Sequence, residues 1–490
     1  MTSETERESG GGLDPADWTA FEVAAETLLR TAFDHFRSAA NGPVWQPTPD
    51  DLKTDLQQSL PKKGVEYQEL VSRLQALMPY GVGNTHPRFF GWVHGSGSPG
   101  NLLAEIAASA MNANCGGRDH VGIYVERQVI DWCRNLFGFP NDSSGLIVSG
   151  TSMATIIAVK VARDRALEFS SRVNGLSGAP LVGYVSEQAH ACLDRAFDMT
   201  GLGTAALRKI KVDAEFRIDL EDLTQQIARD REEGRIPFFL AATAGTVNTG
   251  AIDDLQSLAD LAANERLWYH IDGAFGACAK TSPAIAPRLS GIERADSLAF
   301  DFHKWIHVNY DAGCVMIRDS AAHRRAFANR PDYLAASGEA LAGGDPWPVD
   351  FGPELSRGFR ALKVWSHLLE HGVDKIGDCI TRNCEQAAYL ADRVAVHPAL
   401  ELAAPASLSI CCLRYKAPNL APEARDQLNA RIVSRLQWEG TAAPSTTRLN
   451  QRLAIRVNIT NHRTRRRDLD VLIDAVAATG AEILNQSEKA

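Results

Sequence analysis

The sequence predicts an α/β fold in which a mostly parallel sheet is flanked by helices. From about residue 120 to residue 320, apolar segments of strand length alternate with segments of helical length, a pattern typical of βαβ units. The 490-residue chain is also too long for one hydrophobic core, so we expect two or three domains. We divide it into a disordered tail at 1–12, an N-terminal helical segment at 13–110, a large α/β domain at 111–378 and a small C-terminal α+β domain at 379–490.

The N-terminal segment carries a strong helix signal after its polar, glycine-rich start. Asp14 suits the cap of a helix and Pro15 its first position. Apolar residues then recur at helical spacing and form a broad stripe that a monomer would need to cover. They are Phe21, Ala25, Leu28, Leu29, Ala32, Phe33 and Phe36.

Five segments of the large domain each contain a buried strand that ends in a turn. They span 145–163, 182–190, 238–254, 268–275 and 295–305. A long helix is predicted to begin near Ser356, and the segment from about residue 380 is predicted to form the smaller domain. Its strands are expected at Leu408–Tyr415 and Leu453–Ile459, because both runs are rich in apolar and β-branched residues.

Composition excludes several classes of function. The net charge of −9 argues against a nucleic-acid partner, and no apolar stretch has the length of a membrane span. The polar N-terminus lacks the basic start and apolar core of a signal peptide, so we expect a cytoplasmic protein. Nine cysteines at irregular spacings form no zinc pattern and are expected to be reduced. The basic run 463–467 is interpreted as a solvated helix start or a dimer contact.

Lys304 is the most informative residue. It follows His303 directly and closes an apolar run that begins at Ala295. A buried ammonium without a partner either has a lowered pKa or becomes covalently engaged. Asp272 ends a second apolar strand upstream. An amine that forms a Schiff base and a carboxylate at a neighbouring strand end are what pyridoxal phosphate requires, because the carboxylate keeps the pyridine nitrogen protonated.

Other candidate site residues also fall at strand ends, where ligands bind in open α/β sheets. A phosphate suits the predicted helix N-terminus, with its free N–H groups and hydroxyls, at Gly150, Thr151 and Ser152. His190 and Thr246 follow two further strands. Taken singly these residues are weak signals: His190 also suits a satisfied core histidine, and Thr246 an ordinary turn.

Seven motifs, in the same order along the chain, resemble those of the group II pyridoxal-phosphate decarboxylases, the branch that includes aromatic L-amino-acid decarboxylase. The resemblance extends from about residue 80 to the C-terminus. The motifs are His86–Gly91 (HPRFFG), Ser149–Ser152 (SGTS), His190, Ala242–Thr246 (ATAGT) with Gly250–Asp254 (GAIDD), His270–Ala274 (HIDGA), Asp301–Trp305 (DFHKW) and Ser356–Trp365 (SRGFRALKVW).

The resemblance implies a type I, aspartate aminotransferase-like fold with a seven-stranded-type sheet. It also implies a homodimer whose N-terminal helices pack on the partner subunit and whose active sites lie at the subunit interface. It also implies that Lys304 holds the cofactor as a Schiff base, that His190 covers one face of the cofactor, and that Ala274 lies against the other. His303 would contact phosphate or carboxylate. The implied substrate contacts are Trp92, Val93 and His94, with Trp347 and Phe351 from a loop at 329–351 that closes over the site. The first three stand where aromatic-acid decarboxylases place Tyr, Phe and Pro, and the extra histidine suits either a polar or imidazole-bearing substrate or the role of an acid.

Two departures from the family pattern bear on the reaction. Related decarboxylases carry a tyrosine late in the closing loop that returns a proton to the α-carbon, and relatives with phenylalanine there form aldehydes with oxygen. This chain has Pro346–Phe351 (PWPVDF) and no tyrosine in that region, and Tyr333 lies too early. Asp301 also stands where many members have another polar residue, as does Met153.

The resemblance implies decarboxylation of an aromatic or related L-amino acid to the amine and carbon dioxide, through a quinonoid intermediate. The first alternative is oxygen-dependent decarboxylation and deamination to an aldehyde. The second is a homologue without catalytic activity, against which the intact Lys304, Asp272 and His190 argue. An aminotransferase is less favoured than these reactions, because the sequence identifies no second cationic residue to hold the carboxylate of a keto acid.

Overall fold

The computed structural model describes residues 12–329 and 338–487. The helices are α1 Trp18–Arg37, α2 Asp50–Asp55, α3 Tyr67–Leu77, α4 Asn101–Met111, α5 Val121–Phe137, α6 Thr151–Ala166, α7 Ser171–Asn174, α8 Cys192–Met199, α9 Leu220–Glu232, α10 Leu255–Glu265, α11 Ser320–Phe327, α12 Arg360–Val396, α13 Pro422–Trp438 and α14 Arg466–Ser487. The strands are β1 Phe89–Phe90, β2 Ser144–Val148, β3 Leu181–Ser186, β4 Leu207–Ile210, β5 Ile236–Thr243, β6 Trp268–Asp272, β7 Ser297–Asp301, β8 Gly313–Ile317, β9 Leu400–Leu402, β10 Ile410–Tyr415, β11 Ala443–Leu449 and β12 Arg452–Asn458.

The large domain is built on a seven-stranded sheet in the order β2-β8-β7-β6-β5-β3-β4. Strand β8 runs antiparallel to both of its neighbours, and the other pairs are parallel. Every residue of β6 and β7 is buried, because helices cover both faces of the sheet. The predicted α/β fold with a mostly parallel seven-stranded sheet is therefore confirmed.

Two apolar clusters hold helices to the sheet. One packs α5, α9 and α10 against the sheet and includes Phe137, Leu223 and Leu258. The other surrounds α6 and α8 and includes Ile157 and Phe197. These clusters fix the carboxyl ends of the parallel strands relative to the N-terminus of α6.

A second sheet of five strands, in the order β1-β11-β12-β10-β9, forms the C-terminal part of the chain. The predicted strands 408–415 and 453–459 correspond to β10 and β12, and the helix expected near Ser356 begins at Arg360 as α12. Strand β1 comes from the N-terminal segment and pairs in parallel with β11. Helix α12 contacts elements of both sheets and bends at Gly372, whose φ is 68°.

The start of the first helix differs from the sequence-based expectation. The capping residue is Asp17, not Asp14, and its carboxylate accepts a hydrogen bond from the Ala20 N–H at 3.1 Å. The prediction of Asp14 as the cap and Pro15 as the first helical position was wrong, because Asp17 is chemically as able to cap and the helix begins at Trp18. Along the helix only Ala24 is fully buried in the single chain. The expected disordered tail lies almost entirely outside the described residues.

No helix in the described ranges has the length and apolar character needed to cross a membrane.

Candidate active site

The carboxyl ends of β5, β6 and β7 meet at one edge of the large sheet. Thr243 pairs with Asp272, Asp272 pairs with Ala299, and Asp301 pairs with Gly313 of β8. Because these strands are parallel, the turns that follow them lie side by side. The turn after β7 carries Lys304, so the structure brings Lys304 and Asp272 to one edge, as expected from the sequence.

The Lys304 ammonium has a partner that the sequence reasoning did not assign. Its Nζ lies 2.8 Å from Oδ2 of Asp301. Burial acts to lower the pKa of Lys304, but the carboxylates of Asp301 and Asp272 outweigh it and raise that pKa above its usual value. A buried amine without a partner would have a lowered pKa, so the pairing with Asp301 gives the opposite of what burial alone predicts.

Asp301 also connects this turn to α6. Its Oδ1 accepts a hydrogen bond of 2.7 Å from the Thr151 N–H, and its Oδ2 lies 3.7 Å from Nε2 of His303. The approach needs glycine at position 313, because a Cβ there would lie 2.5 Å from the Gly150 Cα and 2.6 Å from Oδ1 of Asp301. The sequence flagged this aspartate as a departure from the family pattern without finding these contacts.

The N-terminus of α6 keeps part of its capacity to bind an anion. The Thr151 N–H is used by Asp301. Within the described ranges, no acceptor bonds the N–H groups of Ser152 and Met153, and the buried Thr151 hydroxyl has no partner. Free N–H groups at a helix N-terminus suit a phosphate. The phosphate role of Gly150, Thr151 and Ser152 stays a prediction.

Asp272 is 3% exposed and ends β6. Its carboxylate accepts a hydrogen bond from the Ala274 N–H at 3.1 Å and a weaker contact from the Cys192 thiol at 3.7 Å. Burial, together with the Asp272 charge, raises the pKa of Cys192, so this thiol stays protonated and acts as a donor. These two contacts leave acceptor positions on Asp272 for a further donor such as a pyridinium N–H.

Cys192 connects His190 with Asp272, because it contacts both side chains. The Nδ1 atom of His190 accepts a hydrogen bond from the Cys192 N–H at 3.1 Å, and its ring is exposed in the single chain. Strand β3 ends at Ser186, and α8 begins only at Cys192. The histidine therefore sits in the turn between these elements and is neither the last residue of the strand nor the first of the helix. Its role against the cofactor stays a prediction.

Thr246 closes a turn. Its hydroxyl lies 3.0 Å from that of Thr249 and accepts a hydrogen bond from the Ala251 N–H at 3.2 Å. The same turn brings Gly250 against the small domain, where a Cβ would lie 2.3 Å from the Ser407 carbonyl oxygen. The ordinary turn interpretation accounts for these contacts, and cofactor binding by Thr246 stays a prediction.

The predicted substrate segment is held between the two domains. Arg456 of β12 donates to the Trp92 carbonyl at 2.8 Å, and Thr460 donates to the His94 carbonyl at 2.8 Å. On the other side, a Cβ on Gly95 would lie 2.1 Å from the His303 carbonyl oxygen. Glycine is thus required for the segment to reach the turn that carries Lys304.

Within that segment, the three predicted substrate residues differ in their surroundings. Trp92 is 54% exposed, whereas Val93 is buried in the core of the large domain. The Nδ1 atom of His94 is buried without a partner, and burial together with Lys304 and His303 lowers the pKa of His94. His94 therefore faces the lysine side of the site.

Trp347 and Phe351 occupy packing positions. Trp347 donates to the Gly343 carbonyl at 2.7 Å, and the Arg118 guanidinium lies 4.8 Å from the centre of its ring. Phe351 belongs to the cluster around α6, with its ring 5.0 Å from His323. Contact of either residue with substrate stays a prediction. Tyr333 lies outside the described residues.

Tyr310 is the site residue that the sequence reasoning missed. The centre of its ring lies 4.3 Å from that of His303 and 6.0 Å from that of His94. Its carbonyl accepts a hydrogen bond from Lys363 at 3.1 Å. The available signal was its position six residues after Lys304, in the same connection between β7 and β8.

These residues fit pyridoxal phosphate. A buried amine, a buried carboxylate with free acceptor positions, and unpaired N–H and hydroxyl groups at a helix N-terminus correspond to its aldehyde, ring nitrogen and phosphate. They lie beyond the carboxyl ends of parallel strands, where this type of sheet binds ligands. Fold and site together define the class, a pyridoxal-phosphate enzyme built on a mostly parallel sheet.

Residues 49–416 match the family model described as the pyridoxal-dependent decarboxylase conserved domain, and the chain belongs to that family. It is 33% identical over 463 residues to an aromatic-L-amino-acid decarboxylase of Bacillus atrophaeus, covering 92% of this chain and 93% of the relative. It is 25% identical over 488 residues to a 4-hydroxyphenylacetaldehyde synthase of Rhodiola rosea, covering 96% and 97%. The crystal structure of Oryza sativa TDC with PLP and tryptamine matches with a TM-score of 0.89 at 24% identity, covering 96% and 100%. The chain is therefore a pyridoxal-phosphate-dependent amino-acid decarboxylase by family.

Proposed function

We propose that this enzyme converts an aromatic or related L-amino acid into its amine and carbon dioxide. The observation that carries the substrate class is a row of aromatic rings that leads to Lys304. Successive ring centres lie 6.2 Å apart for Phe89 and Trp92, 6.0 Å for Trp92 and His94, 6.0 Å for His94 and Tyr310, and 4.3 Å for Tyr310 and His303. Rings at these separations offer offset and edge-on contacts to a further aromatic ring.

The residues of the chain have separate tasks in this reaction. Bound pyridoxal phosphate supplies a conjugated ring that accepts the electron pair of the bond to the departing carboxylate. Lys304 would hold the cofactor through its amine, and the Asp301 carboxylate 2.8 Å away stabilises that lysine when it carries a positive charge. Asp272 would hold a proton at the ring nitrogen of the cofactor, and His190 is assigned to one face of the cofactor ring.

The runner-up reaction produces an aldehyde. Its net balance consumes one oxygen molecule and one water molecule and yields aldehyde, carbon dioxide, ammonia and hydrogen peroxide. Two observations favour testing it. The region 346–351 lacks the tyrosine of related decarboxylases, and the relatives include aldehyde synthases as well as decarboxylases.

A product assay separates the two reactions. Purified, cofactor-loaded enzyme is incubated with aromatic and non-aromatic L-amino acids, and carbon dioxide, oxygen uptake and ammonia are followed together. The proposal predicts carbon dioxide and amine in equal amounts, without oxygen uptake, and the fastest release from an aromatic substrate. Oxygen uptake and ammonia that match carbon dioxide would establish the aldehyde reaction instead. No release from any of these amino acids would overturn the proposed substrate class and point to an unusual substrate or to the homologue without catalytic activity.

We also propose a homodimer in which a second copy covers the N-terminal helices. Apolar side chains on α1, α3 and α4 are uncovered in the single chain: Trp18 is 57% exposed and Leu103 is 63% exposed, and Leu70 and Ile106 are also exposed. Several large apolar side chains exposed on the N-terminal helices suit an interaction surface. Light scattering after size exclusion is expected to give twice the mass of the chain. The Leu103→Lys and Ile106→Lys double variant is expected to shift the protein toward monomer.

The cytoplasmic location belongs to this proposal as well, and cell fractionation checks it.

A further inference from the structure

Tyr310 stands beside the reactive lysine with its hydroxyl in an unusual setting. Its side chain is 48% exposed, at the open side of the site. Partial burial raises the pKa of Tyr310, while the Lys304 ammonium and the backbone N–H of Gly95 act in the opposite direction and favour the phenolate. The Tyr310 ring centre also lies 4.3 Å from that of His303, the residue directly before Lys304, which places the phenol on the lysine side of the site.

The loop that carries Tyr310 is fixed on several sides. Lys363 donates to the Tyr310 carbonyl at 3.1 Å and to Glu105 at 2.7 Å. The neighbouring Asn309 donates its N–H to Asn101 at 2.7 Å, and Asp311 pairs with Arg360 at 3.0 Å. Arg360 and Lys363 belong to the Ser356–Trp365 motif, so part of that motif serves to hold this tyrosine in place.

The ionisable neighbours of the site differ in their ability to give up a proton. Burial lowers the pKa of both His303 and His94, so both imidazoles are neutral near pH 7, and a neutral imidazole is a much weaker acid than a phenol. His303 is engaged further, since its Nδ1 accepts a hydrogen bond from the Ala312 N–H at 3.1 Å. Lys304 loses its proton reluctantly, because Asp301 holds the ammonium. Burial and the Asp301 carboxylate raise the pKa of Tyr310, and Lys304 and the Gly95 N–H oppose them, so the phenol stays protonated near pH 7 and has a proton to give.

We propose that Tyr310 is the acid that protonates the substrate α-carbon after carbon dioxide has left. This role rests on the proposed function and takes the place of the tyrosine that region 346–351 lacks. By this point the bond between the α-carbon and the carboxylate has already broken, and its electron pair, accepted by the conjugated ring of the bound cofactor, is available at the α-carbon for a new bond to hydrogen. The Tyr310 O–H then breaks, its proton forms the new bond to the α-carbon, and the phenolate regains a proton from solvent at the open side of the site.

The role predicts a specific change in the products of the Tyr310→Phe variant. Acid catalysis of this kind contributes roughly 10²- to 10⁴-fold, so amine formation is expected to fall by about that factor. Carbon dioxide release in a single turnover is expected to keep its rate, because the bond to the carboxylate breaks before the proton is needed. Oxygen uptake per carbon dioxide is expected to rise, since the unprotonated product stays open to oxidation.

The matched control is Tyr389→Phe, which removes a tyrosine hydroxyl bonded to Asp470 in the small domain and should change none of these quantities. Amine formation in Tyr310→Phe within about threefold of the wild type would overturn the role. So would loss of amine formation in Tyr333→Phe with Tyr310→Phe unaffected. If the wild type itself releases no carbon dioxide, the proposed function fails, and the Tyr310 role fails with it.

A measurement on the cofactor-free protein tests the contact without turnover. Ultraviolet absorbance titration of tyrosinate in the wild type and in Tyr310→Phe isolates the Tyr310 phenol by difference. Because the Lys304 ammonium favours the phenolate, the Lys304→Met background is expected to raise the pKa of this phenol. An unchanged titration would show that the two groups do not interact, and would overturn the proposal even if the activity of the variants were low.

Discussion

Two buried pairs of a carboxylate and a cation lie in the large domain, and they are built for different purposes. In one, Asp301 contacts the Lys304 ammonium through a single oxygen at 2.8 Å. In the other, the Arg357 guanidinium contacts both oxygens of Glu126, at 2.8 and 2.9 Å. The first pair can separate when another group engages the amine, whereas the second pair is held by a hydrogen bond to each carboxylate oxygen.

The further contacts of each pair strengthen this contrast. Arg357 also donates to the carbonyls of Cys115 and Ile147, and Glu126 accepts the Ile147 N–H at 2.9 Å. Most of the polar groups of that pair are thus satisfied by backbone. The other Asp301 oxygen accepts the Thr151 N–H at the N-terminus of α6. A family motif such as Ser356–Trp365 therefore contains residues that build the scaffold, while Lys304 is left available for chemistry.

The largest expected effect comes from removing Lys304. In Lys304→Ala, the visible absorbance band of lysine-bound pyridoxal phosphate should disappear after dialysis, and turnover should fall by at least about 10³-fold, because no other described side chain supplies the amine at this place. Absorption spectra and carbon dioxide release measure the two quantities.

The control for this variant is Lys160→Met, which alters another partly buried lysine paired with an aspartate, at 2.5 Å from Asp164 in α6. It should keep both the band and the activity. Persistence of the band in dialysed Lys304→Ala would refute the central assignment of the site.

The second effect concerns stability. Replacing Arg357 by Leu leaves the Glu126 carboxylate buried without its partner, and breaking such a pair costs about 3–5 kcal/mol in the free energy of unfolding. Urea denaturation measures this loss. Arg73→Ala provides the contrast, because its pair with Glu69 is exposed and such pairs contribute about 0.3–0.5 kcal/mol. Equal losses in the two variants would contradict the structural role of the Arg357 pair.

The two pairs also show what the sequence can and cannot predict. Lys304 and Asp272 were predicted together because each ends a local apolar strand, and parallel strands place their ends at one edge. The Glu126–Arg357 pair joins residues 231 positions apart, and no local pattern reports such a contact. Asp301 and Tyr310 are close to Lys304 in sequence, yet the directions of their side chains depend on the turn between β7 and β8.

Similar reasoning explains the smaller differences. Asp14 and Asp17 both have the chemistry of a helix cap, and the prediction of Asp14 was wrong because residue type does not distinguish them. The hydroxyl of Thr246 has contacts within its own turn that the sequence did not reveal, and its contact with a cofactor stays a prediction. In each case the residue type was informative about local chemistry, and the partner was decided by packing around it.

The smallest effect tests how the Asp301 charge controls the amine. Only the unprotonated lysine can capture the aldehyde of pyridoxal phosphate, and the carboxylates of Asp301 and Asp272 raise the pKa of Lys304 against the effect of burial. In Asp301→Asn the pKa of Lys304 should therefore fall. The rate at which the cofactor-free protein captures pyridoxal phosphate should reach its midpoint at lower pH, and capture at neutral pH should quicken by about tenfold for each unit of that displacement.

The sign of the stability change follows from the same shift. Because the pKa of Lys304 is raised on folding, the stabilisation from its pair with Asp301 is complete below the ordinary lysine pKa of about 10.4 and is lost as the pH rises through the raised pKa. Asp301→Asn should remove this alkaline loss of stability. Affinity for the cofactor cannot replace the pH profile as a test, since removing a negative charge at the N-terminus of α6 favours phosphate in any case. Asp311→Asn, whose carboxylate pairs with Arg360, should leave the capture midpoint where it is in the wild type, and a displacement as large as that of Asp301→Asn would assign the effect to general charge and not to the contact with Lys304.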